Sequence, residues 1–198
     1  MLIHRKTDYG FDLSDALAER AVSELSYEID TEVVKLLDDN APEDVTLSWS
    51  KTQPVGVSMR EHFDSFLNTL AKAKQIVYDA TQKFVPNWLL VASDVVPVLS
   101  MISAFKAAPT GQVNGPYLAG TVDSFKVFVS PALASGKFIA GVLGSDMYSA
   151  AAVYAPYMPI VPTQLLGFAD GGMSQGWSTL YDLKMLNPSL LVKGQIVD

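Results

Sequence analysis

The chain has no cysteine, which excludes disulfides, thiolate metal centres and cysteine nucleophiles and fits a reducing compartment. Histidine is nearly as scarce. Only His4 and His62 occur, and neither has a companion at metal-ligand spacing. No uninterrupted apolar run approaches the ~18 residues of a membrane span. The opening MLIHRKTDYG places no apolar stretch behind its basic residues, so no signal peptide is expected. There is no internal repeat and no low-complexity tract. Charge is thin as well: charged residues make up 18% of the chain, against roughly 25% in an average soluble domain. Uncharged surface of that extent suits faces covered by partners.

What charge exists is unevenly placed. Residues 1–100 carry 9 Lys/Arg and 16 Asp/Glu, whereas residues 101–198 carry 5 of each. The whole net charge of −7 therefore sits in the first half. A chain so acidic is repelled by phosphate backbones, which disfavours sequence-reading of nucleic acid. Its 198 residues, 49% of them hydrophobic, suffice for one large domain or two small ones. A chain of this size buries roughly 70% of the surface its unfolded form exposes.

The stretch Tyr148–Pro162, YSAAAVYAPYMPIVP, is the most distinctive in the chain. It holds no charge, and Pro156, Pro159 and Pro162 recur every third residue. Each proline fixes φ and removes a backbone donor, so neither a helix interior nor a central strand is expected after Ala155. Rigid, uncharged and aromatic, the segment suits a core strand running out into a surface that something covers. It is poor material for a catalytic loop.

Periodicity divides the rest. From Ala18, the residues Val22, Leu25, Ile29, Val33 and Leu36 trace a helical stripe, which predicts a helix from about Asp15 to Asp39. Ser14 or Asp12 is placed to cap it, and Asn40-Ala41-Pro42 to close it. At ~1.5 Å per residue it spans about 37 Å, enough to act as a spine. Val45, Leu47 and Trp49 alternate, as in a strand or extended connector running to Val57. Ser58-Met59-Arg60-Glu61 is a capping box opening a second helix. Phe63, Phe66, Leu67, Leu70, Ala73 and Val77 form its apolar face, and Pro86 ends it. Trp88–Ala92 reads as a buried strand, followed by a helix from Asp94 to about Phe105 capped by Ser93, with Pro97 in its first turn. Ala107–Pro116 reads as a loop. Tyr117–Val122 and Phe125–Ser130 form a hairpin turning at Asp123-Ser124. Lys137–Leu143, Gln164–Phe168 and Trp177–Leu186 are further strands, the last two flanking a turn at Gly171-Gly172. Helices first and a meander of strands later make an α+β fold.

Several motifs invite a chemical reading and fail its requirements. Gly172-Met173-Ser174-Gln175-Gly176 matches the G-x-S-x-G nucleophile elbow. That motif needs a following helix and a later histidine, yet both histidines precede Ser174 and a strand follows it. Gly136-Lys137 resembles the end of a phosphate loop, but Pro131 and Phe138 stand where the pattern requires glycine and a hydroxyl residue. Asp38-Asp39-Asn40 with Glu43-Asp44 lacks the alternation and central glycine of a calcium loop. Glu24, Glu28 and Glu32 line one helix face at i, i+4 and i+8, a solvated face or a docking edge for a basic neighbour. Tyr154, Pro156, Tyr157 and Pro159 are either a core strand with its turn or a subunit interface of rigid aromatics. No catalytic, cofactor or metal-binding residue emerges.

In order and spacing, these elements resemble the major capsid proteins of tailed bacteriophages, of the myovirus type. The resemblance rests on the long helix over Glu19–Leu37, then Asn87-Trp88-Leu89-Leu90-Val91-Ala92-Ser93 with Val95, Val96 and Leu99. Phe125-Lys126-Val127-Phe128-Val129, the glycines Gly141 and Gly144, and Tyr154-Ala155-Pro156-Tyr157 follow, so that it covers roughly residues 17–190. It implies the Johnson capsid fold, with a long spine helix in a peripheral domain and an axial domain at the capsomer centre. The expected division is 1–58 for the spine helix and a peripheral strand, 59–150 for the axial domain and 151–198 for the return. In such proteins an N-terminal arm and an extended loop precede the spine helix, and the dozen residues here cannot supply both. A truncated, processed or partial chain is the expectation. The resemblance implies a structural protein without cofactors, not an enzyme, whose partners are copies of itself and other head proteins. It would assemble as hexamers and pentamers of an icosahedral head enclosing DNA, in the host cytoplasm and then the virion. An encapsulin-like nanocompartment shell is the neighbouring alternative, and a serine hydrolase using Ser174 a more distant one.

Overall fold

The computed structural model describes residues 13–109, 111, 115–164, 166–167 and 173–197. The chain divides into two compact units, one of residues 30–153 with 183–198, the other of residues 1–29 with 154–182.

The larger unit is built on a seven-stranded mixed sheet. Its strands are β1 (Glu43–Ser50), β2 (Trp88–Val91), β3 (Phe105–Ala107), β4 (Tyr117–Val122), β5 (Phe125–Val129), β6 (Lys137–Gly141) and β11 (Leu191–Val197), in the order β1-β11-β6-β2-β5-β4-β3. β1 with β11 and β2 with β5 run parallel, while the other neighbours are antiparallel. The sheet is thus not a simple meander. It draws β1 from the first segment expected from sequence, β2–β6 from the second and β11 from the third. Strand β11 was not foreseen, because Leu190–Val192 is a continuous apolar run followed at once by Lys193 and Gly194 rather than an alternating pattern.

Register assigns the two faces. Trp88, Leu90, Phe128, Ile139 and Gly141 share one face. It receives the C-terminal half of α1 (Leu13–Asn40), whose Val34 is buried and whose Leu37 packs on the core. Leu89, Val91, Val127, Phe138 and Ile196 share the other face, all of them buried. That face is covered by α3 (Phe66–Thr81) through Phe66, Leu70, Ala73 and Val77, a helical row of fully buried side chains. Burying Phe66, Leu70 and Val77 contributes about 1.5–3 kcal/mol each. Phe66 meets Phe138 edge-on, with ring centroids 5.5 Å apart at 81°.

Four local expectations are corrected. Ser14 lies inside α1 rather than capping it, and Asp12 lies outside the described residues. The second helix is two helices, α2 (Met59–Asp64) and α3. The Ser58/Glu61 capping box opens α2 as expected, but Ser65 breaks the run. Its hydroxyl donates to the His62 carbonyl at 2.6 Å and accepts the Trp49 indole N–H at 3.0 Å. α3 then stops at Thr81, before Pro86, with Gln82 left-handed. The expected helix over Asp94–Phe105 shrinks to a 3₁₀ turn at Ser93–Val95 and α4 (Val96–Ser100). Asp64 Oδ1 accepts the Ser103 N–H and hydroxyl at 2.8 and 2.9 Å, drawing the chain out of the helix, and Phe105 pairs with Val122 in the sheet. Finally, Leu47 and Trp49 point into the core but Val45 is 84% exposed, because the β1–β11 register slips between Glu43 and Ser48.

The other unit holds residues 13–29 of α1 and most of a two-stranded ribbon, β7 (Ala152–Pro162) with β10 (Trp177–Met185). A short pair, β8 (Leu166–Gly167) with β9 (Met173–Ser174), lies between them in sequence. β7 carries all three prolines yet stays extended for 11 residues. A proline cannot donate across a ladder, and a ribbon strand, paired on one side alone, tolerates that loss. Of the two readings of this segment, the buried core strand does not hold: Tyr154, Ala155, Pro156 and Tyr157 are all exposed.

Candidate functional site

The ribbon presents an exposed, largely apolar surface. Tyr154 and Tyr181 stand 5.6 Å apart, tilted at 45°, and the Thr179 hydroxyl donates to the Met158 carbonyl at 2.9 Å. Beyond Pro162, Thr163 and Gly176 close the strands through three hydrogen bonds of 2.8–3.1 Å. Backbone fixed by proline and by these bonds presents Tyr157 to solvent at 84% exposure, with Pro156 and Pro159 exposed beside it. Such a surface loses little conformational freedom on docking. Leu166 and Leu180 are exposed in the same unit. Between Asp146 and Asp170 the sequence has no charged residue.

Glu24, Glu28 and Glu32 are all exposed on α1. Arg20 reaches Glu24 at 4.0 Å with both side chains largely in solvent, a geometry that contributes little to stability.

The larger unit holds an apolar groove of about 340 Å³ beneath α1. Val34 and Leu37 form one wall, and Trp88, Phe128 and Val142 line the sheet side. Among the described residues Asp30 is the one charge lining it, and although the residue is exposed, partial burial pushes its carboxyl above the ordinary value. Nothing in the sequence pattern marked this groove. Its residues are the same apolar positions that build the core, and only the tertiary fit leaves a space between them.

The residues with chemical promise serve structure. Lys137, at the start of β6, and Lys193 on β11 both pair with Asp38, at 3.1 and 3.6 Å. Lys193 also donates to the Asp38 carbonyl at 2.9 Å, so two cations hold the C-terminal end of α1, where the helix dipole favours positive charge. Asp94 accepts from the Ser135 hydroxyl at 2.7 Å and the Gly136 N–H at 2.9 Å. Burial alone pushes its carboxyl up, but these bonds and Lys51 together hold it below the usual range. Asp123, at the β4–β5 turn, is held low by the hydrogen bond from Lys74, whose ammonium also sits 4.9 Å from the Phe125 ring centroid. His62 is buried, stacked on Trp49 at 4.9 Å, with Nε2 at 3.0 Å from the Ser50 carbonyl. His4 and Gly172 lie outside the described residues.

Ser174 sits in β9, paired with Leu166, and β10 begins three residues later. Strand–turn–strand is the wrong context for a nucleophile elbow, whose strain comes from a strand entering a helix. Among the described residues, no group of three or more His, Asp or Glu could hold a metal ion, and no helix is long and apolar enough to cross a membrane.

Comparison with known proteins adds a family and a fold. No curated protein matches the chain. Among solved structures, the chain is similar to a protein from Mycobacterium phage Che8, with a TM-score of 0.61 at 15% identity over 95% of this chain and 65% of that one. It is similar to the virus-like particle of Pyrococcus furiosus, with a TM-score of 0.54 at 14% identity over 85% of this chain and 63% of the other. It is also similar to the SrpI encapsulin of Synechococcus elongatus, with a TM-score of 0.55 at 13% identity over 96% and 68%. The chain thus spans about two thirds of the length of these proteins, and at such identities the likeness establishes a shared fold. The α+β capsid fold expected from sequence is the fold found. The family model for the major capsid protein Gp23 matches residues 5–191. The chain therefore belongs to the Gp23 major capsid protein family.

Proposed function

We propose that this chain is a subunit of an icosahedral phage head and acts by contact with copies of itself. The family match over residues 5–191 carries the proposal. The exposed proline-aromatic ribbon and the apolar groove are the surfaces that support it. Its work is burial of surface, with no reactive centre: a standard contact buries ~1,600 Å², and symmetry repeats it until the shell closes. Tyr154, Pro156, Tyr157 and Pro159 would be covered by neighbours, and the Glu24, Glu28 and Glu32 face would dock a basic surface. We assign the axial domain to the unit of residues 30–153 and 183–198, and the peripheral domain to residues 1–29 and 154–182. Relative to boundaries at 58 and 150, this moves the C-terminal part of α1, β1 and β11 into the axial domain. The net charge of −7 suits a wall that encloses DNA without gripping it. Location in the virion, assembly in the host cytoplasm and contact with other head proteins follow from the same proposal.

Electron microscopy of the purified chain at rising concentration tests it. Rings, tubes or shells are expected. Monomers alone across salt and pH, in the longest product of the gene, would overturn it. An encapsulin-like compartment is the second reading, favoured by the likeness to the SrpI shell; particles carrying a cargo enzyme rather than DNA would select it. For a hydrolase, a fluorophosphonate probe would have to label the protein and fail on Ser174→Ala. No labelling is expected.

A further inference from the structure

The groove under α1 has a complement on the same unit. Between β1 and α2, Pro54-Val55-Gly56-Val57 forms a tight turn, with the Val57 N–H on the Pro54 carbonyl at 3.4 Å and Gly56 at φ +91°. A positive φ at the third position is the type II arrangement that glycine allows. The Gln53 side-chain amide donates to the Val57 carbonyl and braces the turn. The result is a fixed apolar tip. Val55 is 105% exposed, Met59 is exposed at 58%, and Arg60 stands exposed next to it. A braced turn that holds a valine out in water gains nothing for its own fold, since an exposed apolar side chain contributes no burial.

We propose that, in a ring of copies, the Pro54–Val57 tip of one subunit seats in the apolar groove of the next, with Arg60 brought to Asp30. The inference rests on the self-assembly reading above. Three observations carry it.

Shape and polarity match: a branched aliphatic tip meets a 340 Å³ space walled by Val34, Leu37, Trp88 and Phe128. Charge matches too. Among the described residues Asp30 is the one charge in the groove lining, exposed to an incoming neighbour and with its carboxyl pushed up by partial burial. A cation delivered by the neighbour restores favourable surroundings for the carboxylate.

Placement is the third. β1 ends at Ser50, level with Val197, past the end of the sheet where β6 begins. The groove extends to the opposite end, where β2 begins at Trp88 and β6 finishes at Gly141, and on to Val142 and Leu143. A knob and a socket at opposite ends of one body make a head-to-tail contact, the kind that closes rings, and not a two-fold dimer.

The absence of native cysteine makes the test clean. The full chain carrying Val55→Cys and Leu143→Cys, assembled and treated with a short bis-maleimide, is expected to give a ladder of covalent oligomers on a denaturing gel. Each single variant gives dimers at most. Charge exchange is the second arm. Asp30→Arg and Arg60→Asp are each expected to raise the protein concentration needed for assembly on the order of tenfold, and their combination to restore it to about the wild-type value. Particles that form without a ladder, with both single charge variants assembling like wild type, would overturn this contact and leave the shell reading standing. A wild-type chain that never assembles would overturn both.

Discussion

Placing a methyl group at Gly141 tests whether the groove wall is built as described. The ideal Cβ position there lies 2.2 Å from Trp88 Cζ2, 2.6 Å from its Cε2 and 2.7 Å from Leu191 Cδ2. All three are side-chain atoms, so the backbone can stay while the indole, lying across the strand pair on its partner Gly141, must swing away. Forcing a methyl into packed side chains costs about 1–3 kcal/mol. Alanine recovers about 0.5–1 kcal/mol of that, since glycine is the poorer strand residue. A net loss of about 1–2 kcal/mol then lowers Tm by about 2–8 °C in a chain of this size. Trp88→Ala alone should cost about 2–3 kcal/mol, below the range for fully buried aromatics because Trp88 is half-buried. In that background the clash with the indole is gone and only the approach to Leu191 Cδ2 remains, so Gly141→Ala costs less than it does beside the ring. The double-mutant cycle is thus expected to show coupling of up to about 1–2 kcal/mol. Urea unfolding followed by far-UV circular dichroism measures all four proteins without relying on Trp88 fluorescence. Additivity within about 0.5 kcal/mol would refute the reasoning, because it would mean that ring and glycine do not share space.

Three further outcomes are expected. Asp38→Ala should destabilise the protein by about 1–3 kcal/mol in chemical denaturation, since Lys137 and Lys193 would be left facing each other with their shared anion gone; Asp38→Asn recovering full stability would argue against the ion pairs. Tyr157→Ser should change stability by no more than about 0.5 kcal/mol, because the ring is 84% exposed, while raising the concentration at which particles appear by light scattering. Asp94 is held below the usual carboxylate range in the folded state, so its contribution is present above the unfolded value and lost as pH falls through the folded one. Asp94→Asn should therefore lower stability at neutral pH and flatten the acid limb of a CD-monitored pH titration; an unchanged limb would count against the Ser135 and Gly136 hydrogen bonds.

The elements that could be read from the sequence are those whose local pattern and tertiary role agree. The stripe from Ala18 to Leu36 gave α1, the Ser58/Glu61 pair gave the start of α2, and the alternation around Asp123-Ser124 gave the β4–β5 hairpin. Where long-range partners decide, the pattern misled. The helix expected after Ser93 loses its second half to a carboxylate 39 residues away, Asp64 on Ser103. Val45 faces outward because of a register slip set by β11, which no window of residues around Val45 contains. The tyrosine-proline segment was legible as rigid and extended, but its place on an exposed ribbon was not, because apolar composition alone does not tell a core strand from an exposed one. The groove was invisible for the same reason, and the Val55 tip, though marked by a Pro-Val-Gly turn, gains meaning only from its exposure.

Charge placement separates the two kinds of surface. Within the larger unit, Lys137, Lys193, Lys51 and Lys74 each lie within 4.0 Å of a carboxylate on another element, so these charges tie the fold together. The ribbon strand β7 has no charge, and the tip from Gln53 to Met59 has none either. A monomer gains nothing by leaving Val55 and Tyr157 exposed on segments that carry no charge of their own, since exposed charge is what keeps it soluble and apart from its copies. The same distribution favours a chain whose apolar faces meet copies of themselves by many modest contacts. Introducing one charge at Val55 or Tyr157 should therefore weaken assembly far more than it weakens folding, and the ratio of the two effects measures how much of each surface belongs to the shell.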